Sequence, residues 1–245
     1  MQNKTALITG ASRGVGKEIA SHLAKQGYLV VLVAKNKQLL TQACANIIKA
    51  GGQATIHTID VSDSSQVTSC VDQIIRDYGH IDLLINNAAI LKRGTTEIPD
   101  NDVIELLETN LNGAIFMAKH VATVMKEQRN GYIINISSLG GKVAASFSGV
   151  YAASKFGLSG YSEALSKEMS KYGVKVTCIC PSMIATEMAT GRKFPLEQMI
   201  KVDDILKTID YLLNLSQNAV PIEILLSCLP LIKKTTELIQ EMYLN

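Results

Sequence analysis

The sequence has no basic cluster, no long apolar run and no proline-rich linker, and each absence excludes a class of protein. Its 24 Lys and Arg residues are scattered among 22 Asp and Glu, which leaves a net charge of +2. A nucleic-acid-binding surface needs a basic stripe or patch to neutralise the phosphates of the backbone. We therefore expect no nucleic-acid partner, and without a linker or an internal repeat we expect no second domain.

Apolar segments fall short of the ~20 residues that a helix needs to cross a bilayer. The apolar run from Val220 to Ile232 contains Glu223 and spans only thirteen residues. Met1 leads into a strand-like segment without the pattern of a signal peptide. We therefore expect a cytoplasmic protein without an integral membrane segment.

The five cysteines are an odd number and lack a metal-ligand pattern, which is typical of reduced thiols. Cys178 and Cys180 look like a pair in the stretch VKVTCICP. Because they alternate along a buried-strand pattern, we interpret them as core residues in preference to a redox or metal site. We expect no metal.

Strand-like and helix-like segments alternate from residue 4 to about residue 181. The strand-like segments carry Val, Ile and Leu with little polar alternation, which is typical of strands buried on both faces of a parallel sheet. The helical patterns between them end at glycines such as Gly27 and Gly79. We predict one α/β domain over residues 1–245, a Rossmann-like doubly wound parallel sheet with helices on both faces. Strands are predicted at residues 6–9, 29–33, 54–59, 83–86, 132–137 and 174–179.

The stretch TGASRGVG, residues 9–16, lies between the first predicted strand and a helix predicted to begin near Gly14. A glycine-rich turn exposes backbone N–H groups, and a helix N-terminus carries about half a positive charge. A pyrophosphate fits such a place. The spacing of Gly10, Gly14 and Gly16 differs from the ordinary G-x-G-x-x-G fingerprint. A strand-to-helix turn that merely needs small residues is the alternative.

Five further motifs follow this loop in order: DV at 60–61, NNAA at 86–89, ETN ending at Asn110, INISS at 134–138 and YAASK at 151–155. In order and spacing the series resembles that of the short-chain dehydrogenases and reductases, over about residues 4–190. The conjunction carries the resemblance, since Y-x-x-x-K alone is almost uninformative. It implies a nicotinamide-dependent oxidoreductase that acts on a small carbonyl or alcohol.

Tyr151 and Lys155 are four residues apart, so on a helix they lie on one face, one turn apart. A nearby ammonium favours the phenolate, which suits a general acid for reduction of a carbonyl and a base for the reverse reaction. The resemblance implies that Ser138 positions the substrate oxygen, with Ser137 as a weaker candidate. It also implies that Asn110 holds a water that links Lys155 to solvent; by sequence alone, residue 110 is equally an ordinary polar helix residue.

The end of the second predicted strand favours NADPH over NADH. Family members that use NAD tend to carry an Asp where this chain has Ala34, because a carboxylate repels a 2′-phosphate. Lys35 follows, and Arg13 lies in the glycine loop, so two cations can converge on that phosphate; a solvated lysine at a helix start is the alternative. The resemblance implies that Asp60 bonds the adenine and that Asn86 supports the cofactor. The predicted cofactor contacts are Gly10, Ser12, Arg13, Gly14, Val15, Gly16, Lys35, Asp60, Val61, Asn87, Ala88, Tyr151, Lys155, Pro181, Ile184 and Thr186.

The segment PSMIAT, after the sixth predicted strand, departs from the family pattern P-G-x-x-x-T. Ser182 replaces the glycine, whereas Pro181 and Thr186 remain. The resemblance implies that Thr186 and the backbone of Ile184 hold the nicotinamide carboxamide. The mixed composition of residues 186–206 predicts a substrate lid.

The tail departs further, because residues 219–245 lack the usual DGG-like ending and look like a strand followed by a helix. A seventh core strand is favoured there over an altered subunit contact or a peripheral membrane surface. In the family, helices that correspond to about residues 101–127 and 150–171 pair between subunits. We therefore expect a homodimer, with a homotetramer as the alternative.

The leading function is an NADPH-dependent carbonyl reductase, or alcohol dehydrogenase in reverse, with Tyr151 as the general acid and base. The alternative substrate is a 3-oxoacyl thioester on acyl-carrier protein, an acidic partner that Arg129 and Lys171 can dock; otherwise these two are ordinary solvated cations. The alternative of another class is a non-catalytic NADP-binding sensor or scaffold. The intact set of four catalytic residues speaks against it, because such a protein has no chemical need for all four.

Overall fold

The computed structural model describes residues 4–189 and 194–233, in which strands and helices alternate along the chain. The strands are β1 (Thr5–Thr9), β2 (Leu29–Ala34), β3 (Gln53–Thr58), β4 (Leu83–Asn86), β5 (Gly131–Ile136), β6 (Val174–Pro181) and β7 (Glu223–Leu226). The helices are α1 (Gly14–Lys25), α2 (Lys37–Lys49), α3 (Ser64–Tyr78), α4 (Asp100–Leu107), α5 (Gly113–Gln128), α6 (Gly149–Ser170) and α7 (Val202–Asn214).

The strands form one parallel sheet in the order β3-β2-β1-β4-β5-β6-β7. The order reverses beside β1, which pairs with β2 on one side and with β4 on the other. This is the Rossmann-like doubly wound fold that the apolar strands predict. In such sheets a ligand binds beyond the carboxyl ends of the strands where the order reverses.

Two apolar cores sandwich the sheet, one on each face. The adjacent residues Leu7 and Ile8 of β1 are both fully buried and belong to different cores. On the Ile8 side the sheet packs against α1 and α7, through residues such as Ile19 and Ile205. On the Leu7 side it packs against α3 and α5. Because both faces are covered, the strands need apolar residues at consecutive positions.

Short polar residues and glycines set the helix ends. The side chain of Asn36 accepts a hydrogen bond from the backbone N–H of Leu39 at the start of α2. Asp63 caps α3 in the same way. Gly79 ends α3 with φ +80°, and Gly27 follows α1 with φ +88°, a region that favours glycine. Both glycines act as the helical patterns predict.

The tail forms a seventh strand, as predicted, but β7 is a short, half-buried edge strand and not a core strand; among the described residues it pairs with β6. Residues 229–233 are helical, and the rest of the tail lies outside the described residues. The predicted lid region holds short 3₁₀ turns at Glu187–Ala189 and Leu196–Gln198 and the start of α7, with residues 190–193 outside the description. Among the described helices, none has the length and apolarity to cross a membrane.

Candidate active site

The turn from β1 to α1 is packed too closely to accept side chains at two of its glycines. A Cβ on Gly10, which has φ +65°, would lie 2.9 Å from the Cα of Ala88. A Cβ on Gly16 would overlap the carbonyl oxygen of Gly10. The half-buried Ser12, Gly14 and Val15 complete the turn. The result is a backbone cradle at the point where the strand order reverses.

The N-terminus of α1 is suited to an anion. Its first turn carries no acidic residue, and within the described residues Arg13 makes no capping hydrogen bond with its side chain. The first backbone N–H groups of a helix have no partner within the helix, and the helix dipole adds positive potential to them. The exposed guanidinium of Arg13 lies 3.9 Å from the carboxylate of Glu187, in the predicted lid.

The segment after β4 is fastened to this turn by hydrogen bonds. The hydroxyl of Thr9 accepts from the backbone N–H groups of Asn87 and Ala88, at 3.0 Å each. The side-chain amide of Asn87 donates to the carbonyl of Thr9 at 3.0 Å. Asn86 was expected to support the cofactor, but its amide is buried inside the fold, where it donates to Ala114 and Asn135.

Lys35 and Asp60 meet at the carboxyl ends of β2 and β3. The Lys35 ammonium lies 2.7 Å from Asp60 Oδ2, and Ser62 donates to the same carboxylate through its hydroxyl and its backbone N–H. Partial burial raises the pKa of Asp60, but the hydrogen bonds from Lys35 and Ser62 outweigh it and lower that pKa below its usual value. The side chain of Val61 is buried in the core on the Leu7 face of the sheet. A cation therefore lies near the site expected for the adenosine ribose.

Ser138 and Tyr151 approach one another around Gly140. A Cβ on Gly140 would lie 3.3 Å from Ser138 Oγ and 3.4 Å from Tyr151 Cε1. The hydroxyl of Ser138 accepts a hydrogen bond from the backbone N–H of Gly140 at 3.0 Å and caps the short turn that follows β5. The structure thus brings together the serine and the tyrosine of the sequence motifs.

Lys155 lies one helical turn beyond Tyr151 on α6, with its Nζ 5.9 Å from the centre of the tyrosine ring. Its side chain is buried and donates to the backbone carbonyl of Ile136, at the end of β5, at 3.0 Å. Burial lowers the pKa of Lys155 to about 8. The amine is therefore held in place, and it loses its proton more readily than an exposed lysine does.

Ser137 has a structural role in this site. Its hydroxyl donates to the backbone carbonyl of Lys155 at 3.0 Å and shares a hydrogen bond with Ser159 at 3.2 Å. These bonds join the end of β5 to α6 and so fix Lys155 relative to the sheet. Of the two adjacent serines, Ser138 is the one that lies beside Tyr151.

Asn110 lies in a π-helical turn, Glu108–Asn112, between α4 and α5. Its side chain is fully buried, accepts from the backbone N–H of Ile90 at 2.8 Å and donates to the carbonyl of Ile90 at 2.9 Å. It also lies 3.4 Å from the hydroxyl of Ser154, which donates to the carbonyl of Tyr151. The side chain of Asn110 thus anchors the segment after β4; the water relay stays a prediction.

Pro181 ends β6, and the loop after it contains Ile184, whose backbone bridges to Ile200. The hydroxyl of Thr186 donates to the carbonyl of Ile184 at 3.5 Å. The unexpected Ser182 accepts a hydrogen bond from the backbone N–H of Cys228 at 3.0 Å. The two departures from the family pattern, at residue 182 and in the tail, therefore contact each other.

Sequence reasoning missed the loop that joins Ser138 to Tyr151. The hydroxyl of Thr95 donates to the carbonyl of Ser146 and accepts from the backbone N–H of Gly149, at 2.5 and 2.9 Å. These bonds hold the loop that precedes α6, on which Val143 and Phe147 are 69% and 63% exposed. Apolar residues in a loop between Ser138 and Tyr151 were the signal that could have identified it.

Arg129 and Lys171 lie at the amino ends of the strands, whereas Ser138 lies at their carboxyl ends. Arg129 comes just before β5, and Ser138 comes just after it. Both cations surround the ring of Tyr172, with Arg129 at 5.5 Å and Lys171 at 5.1 Å from its centre. In a single chain they therefore do not border the site around Tyr151.

Comparison with known proteins identifies relatives. Residues 4–194 match the family model described as short chain dehydrogenase. The 3-ketodihydrosphingosine reductase of Bacteroides thetaiotaomicron is 37% identical over 193 residues, which cover 78% of this chain and 68% of that protein. The crystal structure of a betaketoacyl-[ACP] reductase from B. thetaiotaomicron superposes with a TM-score of 0.84 at 35% identity, over 95% of this chain and 100% of that one. A variant of actinorhodin polyketide ketoreductase with NADPH gives a TM-score of 0.84 at 29% identity, over 92% and 95%.

Proposed function

We propose that this chain, which belongs to the short-chain dehydrogenase/reductase family of oxidoreductases, is an NADPH-dependent carbonyl reductase. In the reverse direction it acts as an alcohol dehydrogenase. The observation that carries the proposal is the meeting of Ser138 and Tyr151 around Gly140, with the buried amine of Lys155 one helical turn away.

The residues at the carboxyl end of β1 are suited to bind a dinucleotide. A side chain at Gly10 or Gly16 would push against Ala88 or the carbonyl of Gly10 and open the turn, so these glycines keep the backbone N–H groups at the start of α1 close together for a pyrophosphate. Arg13 and Lys35 flank this cradle and are both more than half exposed. Their carboxylate partners, Glu187 and Asp60, would compete with a phosphate for them.

NADPH is preferred over NADH because of charge. Ala34 occupies the place of the acidic residue that binds the adenosine ribose in NAD-dependent members, so a 2′-phosphate meets no carboxylate at that position. The ammonium of Lys35 follows it directly. The relative solved with NADPH supports the same preference.

The residues of the site divide the proton chemistry among them. When bound, the nicotinamide cofactor supplies or accepts the hydride. Ser138 donates a hydrogen bond to the substrate oxygen and orients it, and Tyr151 donates its proton to that oxygen as negative charge develops there. Lys155 stabilises the phenolate that remains. In the reverse direction Tyr151 takes the proton of the alcohol.

The proposed reaction is tested by following NADPH oxidation with a panel of aldehydes, diketones, steroid ketones and 3-oxoacyl thioesters, with NADH in parallel. We expect turnover of at least one carbonyl class and a preference for NADPH. Equal rates with the two cofactors contradict the assignment of Lys35, and the absence of turnover across the panel contradicts the assignment of the reaction.

A 3-oxoacyl thioester is the second candidate substrate. It is favoured by the reductases named above, because their names describe the reduction of 3-keto or ketoacyl groups. A docked carrier protein would need Arg129 and Lys171 beside the pocket, where a single chain does not put them. The same acyl group is therefore compared on carrier protein and on a short thiol; equal kcat/KM values mean that carrier docking has no part.

The chain is proposed to act as a homodimer in the cytoplasm, through the helices that pair between subunits in the family. Ile104 on α4 and Phe156 on α6 are 58% and 45% exposed, which leaves apolar surface on these helices. Light scattering coupled to gel filtration separates the homodimer from the monomer and from the alternative tetramer.

A further inference from the structure

Cys178, Cys180 and Glu223 converge on one point between β6, β7 and α6. Cys178 and Cys180 are free thiols on the same face of β6, and their sulfurs lie 3.7 Å apart. The Cys180 sulfur lies 3.4 Å from Glu223 Oε1. All three ligand atoms lie within 4.8 Å of one another. Such a cluster offers a metal ion two soft thiolate ligands and one hard carboxylate ligand.

Two of the three distances between these atoms fit a tetrahedral metal ion before any rearrangement, and the third, from Cys178 to Glu223, is at most 4.8 Å. With Zn–S bonds of about 2.3 Å, two thiolates of a tetrahedral site lie about 3.8 Å apart, and a thiolate and a carboxylate oxygen lie about 3.6 Å apart. The observed separations are 3.7 Å and 3.4 Å. Zinc sites of this kind take Cys, His and carboxylate ligands.

The register of the edge strand explains the convergence. Cys178 pairs with Glu223, and Cys180 pairs with Leu225, so the four side chains lie on one face of the sheet. Among the described residues, this face of β7 is partly open, because Leu225 is 55% exposed and the Glu223 side chain is 29% exposed. The two sulfurs are buried, so a metal ion enters from the β7 side, past the carboxylate.

Cations on either side fit the charge of the site. The ammonium of Lys142 lies 2.6 Å from Glu223 Oε1, and the buried amine of Lys155 belongs to the same helix as Ser159, whose hydroxyl contacts both sulfurs. Two thiolates, one carboxylate and Zn²⁺ leave a net charge of −1, which the Lys155 ammonium balances. Lys142, which is one-third exposed, releases the carboxylate when the metal binds.

We propose that Cys178, Cys180 and Glu223 form a binding site for Zn²⁺, with a fourth position open to water. The sequence pattern indicates core residues instead, and both thiols are indeed buried. On binding, the two S–H bonds are replaced by two S–Zn bonds and two protons pass to solvent, without oxidation. The hydroxyl of Ser159, 3.7 Å from each sulfur, is hydrogen-bonded to Ser137 and so links this site to the helix of Lys155.

The test uses Co²⁺ as a spectroscopic probe and Zn²⁺ as its competitor, on the reduced, metal-free full chain. We expect one Co²⁺ per chain with the thiolate charge-transfer absorption of a tetrahedral site, which Zn²⁺ abolishes. Cys178→Ser and Cys180→Ser are each expected to weaken Zn²⁺ binding by at least about 100-fold, since even partners of a ligand contribute up to that much. Glu223→Gln is also expected to weaken Zn²⁺ binding. Because this substitution changes a partly exposed side chain, folding is preserved.

Two control variants make the result specific. Cys70→Ser alters another buried cysteine, on α3 in a different part of the core, and leaves Zn²⁺ binding unchanged. Lys142→Met removes the cation that holds Glu223 and raises the affinity about fivefold, as the loss of a partly exposed ion pair predicts. Absence of the charge-transfer band in folded protein overturns the proposal, and so does its retention in both cysteine variants. None of these readouts depends on reductase activity, so the two proposals fail separately.

Discussion

The Nζ of Lys155 lies 5.9 Å from the centre of the Tyr151 ring, while the same amine donates to the backbone carbonyl of Ile136. The lysine is thus fixed to the sheet at the end of β5, and the tyrosine is carried by the same helix one turn earlier. Proton transfer gains from groups that are held in position before the reaction starts. This relationship makes Tyr151 the residue whose replacement is most informative.

Replacing Tyr151 by Phe removes the proton donor and keeps the ring. We expect kcat/KM for carbonyl reduction to fall by about 10² to 10⁴-fold, the usual contribution of a general acid, while NADPH still binds. Tyr161→Phe is the control, because Tyr161 lies on the same helix but packs against the core of the Leu7 face. If cellular function survives Tyr151→Phe, the protein is a non-catalytic sensor or scaffold.

Burial of Lys155 predicts a specific dependence of stability on pH. Its pKa falls from 10.5, the value of an unperturbed lysine, to about 8 in the folded chain. Between these values the unfolded chain binds more protons, so the free energy of unfolding rises with pH. Relative to a Lys155→Met variant, the wild type therefore gains about 3 kcal/mol between pH 8 and pH 10.5.

Urea unfolding at several pH values measures this difference. Below pH 8 the full penalty of burying the ammonium is present, so Lys155→Met is then the more stable of the two proteins. Lys49→Met, at an exposed position on α2, controls for loss of a lysine as such and should show no pH-dependent difference. Parallel stability curves for wild type and Lys155→Met would contradict the buried-ammonium argument.

Local patterns were sufficient to predict the sheet. The run from Leu29 to Ala34 reads as a strand because a parallel strand covered on both faces is apolar at consecutive positions. The predicted boundaries differ by a residue or two: the strand predicted to end at Ile59 ends at Thr58, and the strand predicted to end at Ile179 continues to Pro181. These ends depend on hydrogen bonds to neighbouring strands, which no local pattern specifies.

Contacts between distant residues could not be predicted. The π-helical turn around Asn110 accompanies two hydrogen bonds between that side chain and the backbone of Ile90, twenty residues earlier, one accepted and one donated by the side chain. Ser182 departs from the family motif, and its hydrogen bond to the backbone of Cys228, 46 residues later, follows from no local pattern. Tyr151 and Lys155 could be placed together because one helical turn separates them, whereas the place of Ser138 beside Tyr151 was implied by the family resemblance and not by spacing.

Lys35 is expected to determine the cofactor preference. Lys35→Ala removes a charge-assisted contact to the 2′-phosphate and should raise the KM for NADPH by about 10- to 100-fold, since a hydrogen bond to a charged group contributes about 1.5–3 kcal/mol. The KM for NADH should stay within about twofold, because that cofactor has no phosphate there. Lys37→Ala, at an exposed position two residues later, is the control. A rise for both cofactors alike would indicate that Lys35 acts through Asp60 on the adenosine pocket as a whole.

Two glycine-to-alanine variants separate the dinucleotide cradle from general stability. In Gly16→Ala the new Cβ overlaps the carbonyl of Gly10 and lies 2.5 Å from Asn87 Nδ2, so the turn must open. We expect a loss of about 1–3 kcal/mol in the free energy of unfolding, as for other overpacked sites, and a loss of NADPH binding.

In Gly160→Ala, inside α6, the Cβ meets no described atom within 4 Å. That variant should gain about 1 kcal/mol from helix propensity and bind NADPH as wild type does. Urea unfolding and a fluorescence titration with NADPH measure both effects, and unchanged binding in Gly16→Ala would place the pyrophosphate elsewhere.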